Sequence, residues 1–137
     1  MKKLLLILLF FPVFGYTQFL PKDIQGNDVK QCEDGGFIVG KGYIIQRTDR
    51  NGNLLWKKSL SIYIESIQIT NDGGFILAGQ SSSADYFAIL QRTDRNGNLL
   101  WQKEYAKGSA NSIQISSDGG FIVAGTMEKG YRKEHFY

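Results

Sequence analysis

An eleven-residue segment that occurs twice without change is the feature that most limits how this chain can fold. The segment QRTDRNGNLLW begins at Gln46 and again at Gln91, 45 residues later. A shorter marker, DGGFI, begins at Asp34, Asp72 and Asp118. Periods of roughly 20 to 50 residues are typical of architectures in which each unit buries its apolar surface against copies of itself. The sequence therefore predicts a repeat protein.

The complete repeat unit indicates four strands joined by turns. Residues 66–70 alternate polar and apolar side chains, the pattern of a half-buried strand. Residues 71–74 and 94–98 are rich in Asn, Asp and Gly and predict hairpin turns, the second of type I′ because it contains Asn-Gly. Further strands are predicted at residues 75–79, 86–92 and 99–105. The second and third carry apolar residues on both faces, which favours a sheet packed between two neighbours.

These features predict an all-β fold of four-stranded antiparallel blades of a β-propeller. The units are residues 28–63, 64–110 and 111–137, and the third is truncated, so the chain holds about two and a half repeats. A closed propeller needs at least about four blades. The ring is therefore expected to be incomplete. We expect the chain to be a fragment of a longer protein. The alternatives are a subunit that self-associates through exposed blade faces and a short open stack.

The first eighteen residues have the features of a secretory signal peptide. Two lysines precede the apolar run 4–14, and smaller and polar residues follow it. The run is shorter than the roughly 20 residues of a membrane span. We expect cleavage near Gln18, a mature domain at residues 19–137 without a membrane span, and secretion to the cell surface, periplasm or medium.

Charge and cysteine content exclude some classes of partner. Two of the 16 basic residues lie in residues 1–18, so the remainder carries 14 basic against 13 acidic residues. No basic stripe is present, and nucleic-acid binding is not expected. Cys32 is the only cysteine, which rules out an internal disulfide. It is predicted to be a small residue at a strand end, although a lone exported thiol can also pair with another chain.

The segments TDRNGNLLW and DGGFIVAG resemble repeats of secreted β-propeller proteins of Bacteroidetes-type bacteria. They are more loosely similar to quinoprotein-like propellers, in which an Asp–Gly–Trp pattern locks adjacent blades. The resemblance covers residues 34 to about 125, and it implies the fold more strongly than any activity. It assigns structural roles in the repeat to Asp49, Gly52, Trp56, Asp94, Gly97 and Trp101.

Each chemically suggestive residue also has a structural interpretation. Asp49 and Asp94 begin oxygen-rich loops, but the spacing departs from a calcium-binding EF-hand and favours self-capped turns. The two tryptophans are predicted to pack between blades rather than to stack on a ligand. Arg47 and Arg92 are predicted to pair with Asp49, Asp94 or Glu104 at the blade edge, and the alternative is binding of acidic groups.

No catalytic, cofactor-binding or metal-binding residue is predicted, since the only histidine, His135, cannot form a triad or a metal site alone. The predicted role is a non-catalytic binding or structural module, with protein or glycan partners at the cell surface. The alternatives are part of a propeller enzyme, either a quinoprotein-like oxidoreductase or a glycan hydrolase, and a lectin that oligomerises to close its ring. Candidate binding residues lie in the loops that vary between repeats: Gln80, Ser81, Ser82, Ser83, Asp85, Glu128, Lys129 and Tyr131.

Overall fold

The structure, a computed structural model, describes residues 26–128 and consists there of strands and turns. The predicted leader, His135, Lys129 and Tyr131 lie outside the described residues. No helix in the described part is long and apolar enough to cross a membrane. The strands in chain order are β1 Asp28–Gln31, β2 Phe37–Lys41, β3 Ile44–Thr48, β4 Leu54–Ser59, β5 Ile62–Ile69, β6 Phe75–Ser81, β7 Phe87–Thr93, β8 Leu99–Ile115 and β9 Phe121–Met127.

All strand pairs are antiparallel and follow chain order, as the repeat predicts. Strands β1 to β4 form one sheet, blade 1, and β5 to β8 form blade 2. Strand β8 is longer than the predicted fourth strand, which ended at residue 105. Its first part pairs with β7, and its second part, from Gly108 to Ile115, pairs with β9 and begins blade 3. One strand therefore runs from the outside of blade 2 to the inside of blade 3.

The hairpin turns lie where the sequence predicts them, but the type I′ geometry is wrong. In the turn that begins at Asp94, the Gly97 amide donates to the Asp94 carbonyl at 3.1 Å. Gly97 has a φ of 76°, and no non-glycine residue of this turn has a positive φ. A type I′ turn needs positive φ at both central residues. The turn therefore resembles a type I turn followed by a left-handed glycine.

The core lies between blades. One buried cluster joins Ile38 and Ile45 of blade 1 to Phe75 and Leu77 of blade 2. A second cluster joins blade 2 to blade 3, and it contains Ile76 from the opposite face of the same β6 strand. Because successive side chains of a strand point to opposite faces, β6 contributes to both clusters. This explains why its sequence is apolar without alternation.

Candidate functional site

In blades 1 and 2, the Asp of the Asp-Gly-Gly turn binds an arginine of the third strand in its own blade. Arg47 donates through Nη2 to both carboxylate oxygens of Asp34, each at 2.6 Å. Arg92 does the same with Asp72, at 2.6 and 2.7 Å. Each arginine is 8% exposed and also donates through Nη1 to main-chain carbonyls. Blades 1 and 2 thus each have an ion pair at the same place, in which the guanidinium is buried and the carboxylate is exposed.

The sequence-based prediction of the arginine partners is wrong. It assigned Arg47 and Arg92 to Asp49, Asp94 or Glu104, which are near them in sequence or strand order. The antiparallel register instead places Thr48 beside Phe37, so the start of β2 and the end of β3 meet next to the Asp-Gly-Gly turn. The pairing is therefore set by the neighbouring strand and spans 13 or 20 residues of chain.

The carboxylates of the second type of turn are satisfied within the turn. Asp49 accepts hydrogen bonds from the Asn51 and Asn53 amides at 2.8 and 2.9 Å and from the Asn53 side chain at 2.9 Å. Asp94 is bonded in the same way to the turn that begins with it. The Asn53 side chain lowers the pKa of Asp49, and the backbone amides add to this effect. This is the self-capped turn that the spacing favours over a calcium loop.

Acid should destabilise the protein through these carboxylates. The Arg47 guanidinium lowers the pKa of Asp34, and the Thr70 hydroxyl, followed by Arg92, lowers the pKa of Asp72. The folded-state pKa values therefore lie below the unfolded value of about 3.9. The stabilisation is fully present above that pH and is lost as the pH falls through the folded-state values.

Urea titrations from pH 7 to about pH 2.5 should show a falling free energy of unfolding below about pH 4. Asp72→Asn should make that decline shallower, and an unchanged slope would contradict the assignment.

Each tryptophan packs against the following blade. The Trp56 ring lies 6.3 Å from the Phe75 ring, and Trp101 lies 6.3 Å from Phe121. Trp56 also covers Gly97, where an added Cβ would lie 2.7 Å from the indole ring. Gly97 therefore has to be glycine for a steric reason as well as for its φ of 76°. Lys58 then donates to Asn98 across the same junction at 2.6 Å.

A groove of about 490 Å³ opens between blades 1 and 2 on the edge that carries these turns, here called the turn edge. Its polar groups include Asp34 and Asp72, whose carboxylates are engaged by arginines. Arg95, also in the groove, donates to the Asp72 carbonyl at 3.1 Å. Cys32 lies in the wall, and burial raises the pKa of its thiol. A raised pKa reduces the thiolate fraction, so the environment does not activate this cysteine as a nucleophile.

The opposite edge of the blades, here called the loop edge, carries the connections that differ between repeats. In blade 2 the Ser81 hydroxyl contacts the Ser83 hydroxyl at 2.6 Å and accepts from the Phe87 amide at 2.9 Å. Asp85 is bound by Lys107 of β8 at 2.7 Å. Tyr86 is 54% exposed and has a φ of 44°. Bulky side chains rarely adopt that backbone conformation, and such residues are concentrated at functional sites.

Blade 1 contributes a second aromatic group to the loop edge. Its tight turn ends at Gly42, and the exposed Tyr43 that follows makes an edge-to-face contact with Tyr63 of blade 2, at 5.4 Å and 84°. The shortened connection of blade 1 therefore leaves a tyrosine pair at the junction of the two blades. The loop edge therefore carries a tyrosine pair at the blade junction and, in blade 2, Tyr86 directly after the loop of Ser83 and Asp85.

The structure separates the predicted binding residues into different environments. Ser82, Ser83 and Asp85 are exposed in the loop, whereas Ser81 is buried and Gln80 is half-buried within β6. Glu128 is exposed and its amide donates to the Lys107 carbonyl at 3.0 Å. Sequence reasoning missed the tyrosines. A usable signal was present, since Tyr43 and Tyr86 each adjoin the variable connection between the second and third strands.

Comparisons with known proteins support the fold alone. No protein-family sequence model matches the chain, and no curated protein sequence does. Among solved structures, a protein of unknown function from Bacteroides caccae superposes with a TM-score of 0.56 at 16% identity, over 74% of this chain and 39% of that one. The WD40 β-propeller domain of Doa1 superposes with a TM-score of 0.57 at 21% identity, over 72% of this chain and 32% of the domain chain. The chain thus spans well under half the length of either structure, and its fold is that of an incomplete β-propeller.

Proposed function

We propose that this chain is a non-catalytic, exported β-propeller module that binds a glycan at its loop edge. The observations that carry the proposal lie at two places on the loop edge. One is the Tyr43–Tyr63 pair. The other is the exposed Tyr86, with its strained backbone, which follows the loop that holds Ser83 and the Asp85–Lys107 ion pair. A tyrosine ring offers a flat apolar surface to the face of a sugar. The neighbouring polar groups can exchange hydrogen bonds with its hydroxyls.

A glycan fits this edge better than a protein partner does. Stable protein interfaces bury about 800 Å² per partner around a well-packed apolar centre. The loop edge instead carries separate tyrosine rings, hydroxyls and an ion pair, and a few placed polar groups are enough to orient a small ligand. Binding residues commonly lie on the variable loops of a rigid scaffold, and the loop edge carries the variable loops of this chain.

A binding role is further supported because the four carboxylates of the repeated turns in blades 1 and 2 are already held by structural contacts. Asp34 and Asp72 are held in ion pairs, and Asp49 and Asp94 are held by their own turns. The enzyme alternatives, a quinoprotein-like oxidoreductase or a glycan hydrolase, would need reactive groups other than these four carboxylates. The proposal includes export, which the signal-peptide features of residues 1–18 support. It also includes a relation to secreted propellers of Bacteroidetes-type bacteria. N-terminal sequencing of the mature protein would test export, and genomic context would test the relation.

The glycan proposal is tested by affinity electrophoresis against soluble xylan, β-glucan and mannan. We expect retardation by at least one polysaccharide, and a roughly tenfold or greater loss of affinity, about 1.4 kcal/mol, in Tyr43→Ala and Tyr86→Asn. Asparagine tolerates positive φ, so Tyr86→Asn should fold at least as well as the parent while binding less. Asn96→Ala, on the exposed turn edge, is the matched control and should bind normally.

Three results would contradict the proposal. The first is the absence of retardation by every polysaccharide, and the second is unchanged retardation in both tyrosine variants. The third is the release of reducing ends from the polysaccharide by the purified protein, which would indicate a hydrolase.

A further inference from the structure

Blade 3 exposes a face whose counterparts in blades 1 and 2 are buried. Ile38, Ile76 and Ile122 occupy equivalent positions, four residues after the Asp of each Asp-Gly-Gly turn. Ile38 and Ile76 are fully buried by the following blade, whereas Ile122 is 64% exposed. Ala78 and Ala124 show the same contrast two residues further along. Blade 3 therefore presents the half-interface that blades 1 and 2 use to bind their successors.

The first blade exposes part of the complementary half, although Val39, the counterpart of the buried Leu77, is 1% exposed. Val29 of blade 1 is equivalent to Ile67 and Ile113, both of which are fully buried against the preceding blade, yet Val29 is 51% exposed. Ile44 is likewise exposed, whereas its counterpart Ile89 is 1% exposed. We call Val29, Phe37 and Ile44 the blade 1 outer face. The blade 3 outer face consists of Ser112, Gln114, Ile122 and Ala124.

Polar contacts recur at the internal junctions in the same register. The Ile67 amide donates to Asp28 of the preceding blade at 2.8 Å, and the Ile113 amide donates to Ser66 at 3.4 Å. Gln68 also donates through Nε2 to the Ile113 carbonyl at 3.1 Å. The junction between blades is therefore specified by hydrogen bonds along the first strands as well as by apolar packing.

The chain carries the same polar groups on its outer faces. Ser112 and Gln114 of blade 3 are equivalent to Ser66 and Gln68, and both are exposed. Their partner in a continued stack would be the main chain of the residue equivalent to Ile113, which in blade 1 is Val29. The first strand of blade 1 differs in sequence from those of blades 2 and 3, but the required groups belong to its main chain. The Val29 amide, which donates to Asp28 Oδ1 at 2.8 Å, would exchange that acceptor for Ser112.

We propose that the blade 3 outer face binds the blade 1 outer face of a second copy, so that chains join head to tail in the register of the internal blade junctions. Such a heterologous contact produces a ring when its rotation closes. Two chains would provide four complete blades and two partial ones, and closed propellers contain about four to eight blades. The contact uses blade faces and is independent of the glycan site at the loop edge.

The test is sedimentation velocity and native mass spectrometry on protein produced from its complete coding sequence. We expect a closed assembly of two or more chains at micromolar concentration. Val29→Glu and Ile122→Glu should each weaken association by roughly tenfold or more, because each would bury an unpaired carboxylate at the junction. An equimolar mixture of the two variants should restore a two-chain species, since one unaltered contact remains between them.

Leu100→Glu is the control for the two glutamate variants. Leu100→Glu alters a side chain that is 56% exposed although blade 2 has both neighbours, so association should be unchanged. Circular dichroism checks folding, and Val29→Thr and Ile122→Thr give milder versions of the same changes. A parent protein that is monomeric throughout, or disruption by only one of the two glutamate variants, would overturn the head-to-tail contact.

Discussion

Replacing Gly74 with alanine should destabilise the protein by roughly 2 to 3 kcal/mol. An added Cβ at Gly74 would overlap the Thr93 carbonyl oxygen and the Arg92 guanidinium. The positive φ in this turn belongs to Gly73 and not to Gly74, so the effect is steric rather than conformational. Relief of the overlap would displace the buried arginine from Asp72. The measurement is the free energy of unfolding in urea, followed by circular dichroism.

Gly120→Ala is the matched control for this prediction. Gly120 has the same place in blade 3, but its added Cβ would lie 3.1 Å from Ser116 Oγ and 3.2 Å from Asp118 Oδ1, with no arginine among the nearest atoms. We expect a cost below about 1 kcal/mol. Equal losses in the two variants would show that the second glycine of each turn is required for a reason other than the arginine.

Replacing Phe75 with alanine should cost about 3 to 5 kcal/mol. The Phe75 ring is 1% exposed in the cluster between blades 1 and 2, and it contacts the Trp56 ring. Truncation leaves a cavity at the junction, because the sheets on both sides are fixed by their own hydrogen bonds. Urea unfolding measures the loss, and the tryptophan emission should shift to longer wavelength as Trp56 becomes more hydrated.

Phe75→Leu separates the effect of lost buried volume from that of the lost aromatic contact, and Leu100→Ala is the control. Phe75→Leu retains most of the buried volume and should cost less than about 1.5 kcal/mol. Leu100→Ala removes an exposed leucine of the same blade and should stay within about 0.5 kcal/mol of the parent. A Phe75→Ala protein as stable as the parent would mean that the junction between blades does not hold the fold together.

The strands and turns were predictable because they depend on local pattern. The alternation around Ile67, the Asn-Gly turns and the two-faced apolar run of β6 each have a short-range physical cause. The type I′ turn was not predicted correctly, since Asn-Gly is compatible with two turn geometries and the strand register selects between them. The length of β8 was also missed, because a strand that passes from one blade to the next carries no break in its sequence pattern.

The candidate site was predicted only in part. The variable loop with Ser83 and Asp85 could be found by comparing repeats, whereas the tyrosine pair of Tyr43 and Tyr63 joins two blades and depends on their packing. The partner of Arg92 was missed for a similar reason. Asp72 lies 20 residues away along the chain and comes beside it through the pairing of β6 with β7.

The sequence by itself determined that this protein is a stack of equivalent all-β units, because a repeated pattern of strands and turns requires equivalent local structure. Only the tertiary structure decided which residues at the same position of the repeat also have the same degree of burial. Ile76 and Ile122 have the same residue type and position in the repeat, yet one is buried and the other is exposed. Burial depends on the presence of a neighbouring blade, and that is a property of the assembled stack rather than of any single repeat.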